Sequence, residues 1–203
     1  MLNGPNIART RELGKPIHGS ITKQAQPMYA TIKGLLADVL QDLQGINANR
    51  YQYNISGGIQ EYMEAVTFQH YLETRCLMTF DEATKTLPDG LQLTYEDYVL
   101  GIFDTTGELM RFAVTHMATS RSESPDLSIV ADMQMLRSEL EALNPYGSYD
   151  LNKNYESKMK VTRSSVEKVE QSVYSMLVRG KERPKGWRPD TDGRGEGDEV
   201  ESY

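Results

Sequence analysis

The 203 residues predict an all-α chain, an antiparallel helical bundle of five to seven helices. Three observations point there. Apolar residues recur at steps of three and four in each long segment between residues 22 and 180, the period of a helix with one buried face. No segment shows the strict alternation of a half-buried strand. Gly, Pro and Asn gather only at a few breaks, such as LPDG at 87–90 and NPYG at 144–147, where they punctuate helices.

The length and the 38% hydrophobic content suit one sizeable core and one domain. Residues 1–21 have no durable period and read as a poorly ordered entry. Residues 22–180 form the helical domain, and 181–203, rich in Gly, Pro and acids around a lone Trp187, read as a flexible acidic tail.

The net charge of −7 argues against a protein that coats nucleic acid by bulk electrostatics, so any such contact has to be local or shared. A single cysteine, Cys76, excludes a disulfide framework and favours a reducing, intracellular setting. No run reaches the roughly 18 apolar residues of a membrane span. The chain reads as soluble, without a membrane partner.

In chain order, Met28, Ile32, Leu35, Val39 and Leu43 make residues 22–43 an amphipathic packing helix. Arg50, Tyr51 and Tyr53 follow, either as a turn at the core edge or as a basic and aromatic clamp for single-stranded nucleic acid. Ser56 is the expected N-cap of the next helix, after which Gly57 and Gly58 lead into a segment running to about Asp81. Thr94 and Asp97 resemble a capping box at the start of the following helix.

Ser124 and Pro125 suit an N-cap and first-turn proline for a helix carrying Leu127, Val130, Met133, Leu136, Leu140 and Leu143. The last helix is predicted over 149–179 with Gly180 as its C-cap. In it Tyr155, Met159, Thr162, Val166, Val169, Val173 and Met176 form an unbroken heptad seam, narrow enough for a partner helix from this chain or from another subunit. On the second alternative the chain would not be stable alone.

Two segments carry charge where packing disfavours it. In residues 58–75, Glu61 and Glu64 share a sector with Ala65, Phe68, Tyr71 and Leu72, while Ile59, Tyr62, Met63 and Val66 cover most of the rest. Such a helix is buried, and an ionised carboxylate there is costly without a positive partner. In residues 94–115, Asp97, Asp104, Glu108 and Arg111 line one stripe of an otherwise apolar helix. Side by side, the two helices bring Glu61, Glu64, Asp104 and Glu108 to one point. At 4 Å and an effective dielectric near 20, each pair repels by about 4 kcal/mol, which a hard cation would relieve. Asp97 is set aside because capping already occupies it, and Arg111 reads either as an ion-pair partner of Glu108 or as a phosphate contact.

Other chemistries are excluded by what is missing. The sequence has no phosphate-loop signature, no GxSxG elbow and too few Cys and His for zinc. None of His18, His70 and His116 has a Glu three residues before it, as carboxylate-bridged di-iron bundles require. An all-oxygen set of four carboxylates suits Mg²⁺, Mn²⁺ or Ca²⁺.

These residues carry a resemblance. GIQEYMEAVTFQH at 58–70 and DYVLGIFDTTGELMR at 97–111 resemble the two signature segments of the TRAX branch of the translin superfamily. SVEKVEQSVYSMLVRG at 165–180 is similar to that superfamily's last helix. The resemblance implies a bundle of the translin type and a subunit of a translin and TRAX hetero-oligomer, an octameric shell that cleaves single-stranded RNA, in the cytoplasm and nucleus. Roles in removing a nicked passenger strand and in trimming precursor-tRNA fragments are implied with it. It assigns the catalytic and metal-binding acids to Glu61, Glu64, Asp104 and Glu108. Arg50, Tyr51, Arg111, Lys160 and Arg163 are the candidate RNA contacts. The family's long first helix has no counterpart in the short residues 6–17. The rival readings are a non-catalytic scaffold subunit of the same assembly that binds RNA or DNA, and a satisfied polar network without metal.

Overall fold

The computed structural model describes residues 14, 16–17, 19–119 and 127–179. Among them lie six α-helices and no strand: α1 (Gly19–Val39), α2 (Ile46–Thr74), α3 (Phe80–Thr86), α4 (Tyr95–Thr119), α5 (Ser128–Glu141) and α6 (Tyr149–Arg179), with short 3-10 turns at Leu40–Leu43 and Pro145–Gly147. The all-α expectation holds. The Ser124–Pro125 cap, the Gly180 cap and the tail lie outside the described residues.

The bundle is built around α4. The α1 helix runs antiparallel to α2, as Gly14 N–H donating to Leu72 O and Tyr29 Oη donating to Ala65 O require. The α5 helix runs antiparallel to α6, with Tyr155 bonded to Leu140 O and Gln134 to Glu170. Because the α3 segment and α5 each carry the chain back, the three long helices α2, α4 and α6 share one direction.

Two boundaries differ from expectation. The α2 helix starts at Ile46, so Arg50, Tyr51 and Tyr53 lie inside it and Ser56 is no N-cap. Two glycines cost about 2 kcal/mol of helix propensity relative to alanine. Fully buried Ile59 and the contacts of Asp97 with Ser56 and Gln60 hold the helix through them. The α2 helix also ends early, at Thr74, where Arg75 turns left-handed with φ 60°. Its guanidinium donates to Asp132 Oδ2 of α5 at 2.8 Å, and Tyr71 Oη donates to the same oxygen at 2.7 Å.

A fresh helix starts because Thr79 and Glu82 close a capping box. Thr79 N–H and hydroxyl both donate to Glu82 Oε2, at 2.8 and 2.7 Å, and hold the Glu82 carboxyl below its ordinary range. Thr79→Ala will cost about 1 kcal/mol, a fall of roughly 2–4 °C in Tm for a chain of this size. A thermal melt with no shift would show that the box carries no weight.

The seam of α6 is filled by the chain itself. Met159, Thr162, Val166 and Val169 are at most 1% exposed, packed with Leu100, Phe103, Leu109 and Phe112 of α4 and with Ile129, Met133 and Leu140 of α5. Along that stretch the seam is covered from within the chain, its intramolecular alternative, while Val161, Tyr174, Leu177 and Val178 of the same helix stay exposed.

Candidate functional site

The contact between α2 and α4 sets the site. A Cβ at Gly101 would lie 2.6 Å from Met63 Cβ and 3.1 Å from the Gln60 carbonyl oxygen, so only glycine lets the two backbones approach this closely. One turn further on, the hydroxyls of Thr67 and Thr105 meet at 2.7 Å, both buried. One turn before it, Ser56 Oγ and Gln60 Nε2 donate to Asp97 Oδ1, Gln60 at 2.9 Å. Three successive contacts fix one register.

That register brings the predicted acids into electrostatic reach of one another. Glu64 is half-buried and Glu61 exposed; the Asp104 and Glu108 side chains are 36% and 30% exposed. Burial, then Glu108, Asp104 and Glu61, push the Glu64 carboxyl from 4.5 up to about 7, against a smaller opposing effect of Arg111. Glu64 thus keeps part of its proton near neutral pH, first because it is buried and then because three other acids lie near it.

Two cations already face the group. Arg111 Nη1 donates to Glu108 Oε1 at 2.5 Å from a 73% exposed side chain, which makes it the ion-pair partner rather than a free phosphate contact. Lys158 Nζ donates to Asp104 Oδ1 from α6. Among the described residues no group of three or more His, Cys, Asp or Glu stands in an arrangement that holds a metal ion. The acids share one neighbourhood without being gathered into a coordination set. Their donor chemistry still fits a hard cation: four carboxylates, no competing sulfur or imidazole, and a proton retained on Glu64.

Sequence reasoning missed Lys158. Its signal was a polar edge on the seam: Tyr155, Lys158, Thr162, Ser165 and Val169 fall in one row, and Thr162 and Ser165 are only 1% and 3% exposed. Asp97 was set aside as a cap, and Thr94 Oγ1 does accept from its N–H at 3.0 Å. Its side chain, 2% exposed, turns to α2 instead.

The candidate RNA contacts divide. Because α2 begins early, Arg50 lies on the same face as Glu61 and Glu64, about 16–21 Å along the axis from them, and is exposed with Tyr51. Arg163 is bound to Glu141 at 2.7 Å, and Lys160, exposed, points about 160° away from Lys158 around α6. Neither joins the acids.

The model of the family described as "Translin family" matches residues 6–180. The chain belongs to the translin family. Among its translin-family relatives, translin-associated protein X of Mus musculus is 29% identical over 189 residues, 81% of this chain and 63% of that protein. The translin-associated protein X homolog of Schizosaccharomyces pombe is 31% identical over 146 residues, 71% and 60% of the two chains. Human translin is 28% identical over 163 residues, 77% and 69%. The chain spans about three-fifths of the length of the X-type relatives it matches. As in the expected fold, this is an all-helical family member, and no helix among the described residues is long and apolar enough to cross a membrane.

Proposed function

We propose that this chain is the Mg²⁺-dependent nuclease subunit of a translin-type hetero-oligomer, octameric in the reading taken from the resemblance, hydrolysing single-stranded RNA in the cytoplasm and nucleus. The observation that carries it is the raised pKa of Glu64, produced in part by three other acids from two helices. Packing alone would select against such a concentration of negative charge, so a ligand is the physical reason to keep it. The resemblance of the signature segments to the TRAX branch, and relatives named for association with translin, support the partner.

Glu61, Glu64, Asp104 and Glu108 would hold the cation, with Mn²⁺ an alternative to Mg²⁺. Such an ion, when bound, polarises a phosphodiester and lowers the pKa of water. Glu64 would have to give up its retained proton to serve as a ligand, so affinity should rise with pH through about 7. For the cation to be held, Lys158 and Arg111 would have to give up Asp104 and Glu108. Arg50 and Tyr51, upstream on α2, supply a basic and an aromatic contact for an unpaired strand.

A non-catalytic scaffold subunit is the second reading. It is favoured by the ion pairs of Asp104 with Lys158 and Glu108 with Arg111, which already neutralise half the group. The two separate in one assay. Co-purified with a translin-type subunit, the chain is expected to cleave unstructured RNA in Mg²⁺ and not in chelator, while Asp104→Asn assembles and binds RNA without cleaving. Cleavage in chelator, or by Asp104→Asn at the natural rate, rejects the metal-dependent mechanism, and no cleavage in Mg²⁺ leaves the scaffold.

A further inference from the structure

Among the described residues, Asp104 is the one acid of the group whose charge is met from a third helix. Lys158 stands 54 residues along the chain on α6 and donates to Asp104 Oδ1 with a side chain only 28% exposed. Its place is built. One turn on, Thr106 and Thr162 hydroxyls meet at 3.2 Å. Next to it, Met159 is fully buried, and on the preceding turn the ring of Tyr155 packs edge-on to Phe103 at 6.0 Å. The α6 backbone is therefore fixed against α4 on both sides of Lys158, and its ammonium is delivered to the acids by the fold. Arg111 differs: a solvent-exposed pair three residues apart on one helix is worth a few tenths of a kcal/mol and yields readily.

We infer that Lys158 is a tethered counter-cation, a positioning residue that holds Asp104 in the free chain and that a divalent cation must displace. This rests on the acids being a cation site, as proposed above. The lysine keeps α4 and α6 together when no ion is bound, and it raises the concentration of ion at which the site fills. Once released, its ammonium remains beside the site, one flexible stem away from a phosphate oxygen.

The test uses the full chain and Mn²⁺ alone, with free ion counted by its paramagnetic resonance signal and Tm recorded with and without the ion. Lys158→Met and Lys158→Gln are expected to bind Mn²⁺ about five- to tenfold more tightly and to melt lower than the natural chain without ion. Lys168→Met, exposed elsewhere on α6, should bind as the natural chain does. Binding by the Lys158 variants where the natural chain shows none also supports the inference. If Glu64→Gln abolishes binding while both Lys158 variants match the natural chain, the cation site stands and the role of Lys158 is overturned. Variants that only melt early, with unchanged affinity, overturn it too. If neither natural chain nor Lys158 variants bind more Mn²⁺ than Glu64→Gln, the cation site fails and the inference with it.

Discussion

Glu64→Gln will be inactive and, in chelator at pH 8, more stable than the natural chain. The sign follows from linkage. The folded carboxyl titrates at about 7 and the ordinary one at 4.5, so between those values the folded chain holds more proton than the unfolded one. Stability then falls as pH rises through that window, and above it the full penalty of an ionised Glu64 is present. Below about pH 4.5 the group is protonated in both states and the penalty vanishes. A shift of this size on a half-exposed group corresponds, after solvent screening, to roughly 1–2 kcal/mol.

Glutamine keeps the shape and removes the charge, so the variant should gain about 2–8 °C in Tm at pH 8 and nothing at pH 4. If the acids hold the cation as proposed, saturating Mg²⁺ should reverse the order, because the natural chain alone would gain the full binding free energy. Cleavage should fall by a factor on the order of 10² or more. A variant less stable than the natural chain at pH 8 in chelator would sink the electrostatic account.

Substitution at Gly101 will force α2 and α4 apart. In alanine the new Cβ meets Met63 Cβ at 2.6 Å and the Gln60 carbonyl at 3.1 Å, and neither atom is the end of a flexible side chain. Alanine's better helix propensity returns about 1 kcal/mol against an overpacking cost of about 1–3 kcal/mol. Valine recovers less and needs more room, so Gly101→Val should lose about 3 kcal/mol.

The same displacement moves Glu61 and Glu64 away from Asp104 and Glu108, so Glu64 should titrate closer to the ordinary carboxylate range, read by carboxyl carbon resonance. Met63→Ala will not rescue, since it leaves the clashing Cβ in place. Denaturation showing Gly101→Val equal to or better than the natural chain would refute the close approach.

Helix content and both acid pairs were legible because each is a property of one helix. Glu61 with Glu64, and Asp104 with Glu108, follow from spacing at about 100° per residue whatever surrounds them. The α6 limits were legible for the same reason. The start of α2 was not: Ser56, Gly57 and Gly58 satisfy the local signals for a boundary, and contacts from Asp97, 41 residues away for Ser56, override them. Its end at Thr74 was partly legible, in the Thr79 and Glu82 capping pair.

What the residues determined by themselves was a helical family member with two acid pairs on two amphipathic segments. Only packing decided how those segments lie. The register at Gly101 and the pair of Thr67 with Thr105 bring Glu64 among its three acidic neighbours, and the face that α6 turns to α4 delivers Lys158 to Asp104. Such contacts join residues 38 and 54 positions apart. No local period encodes them, because which ridge meets which groove depends on both helices at once.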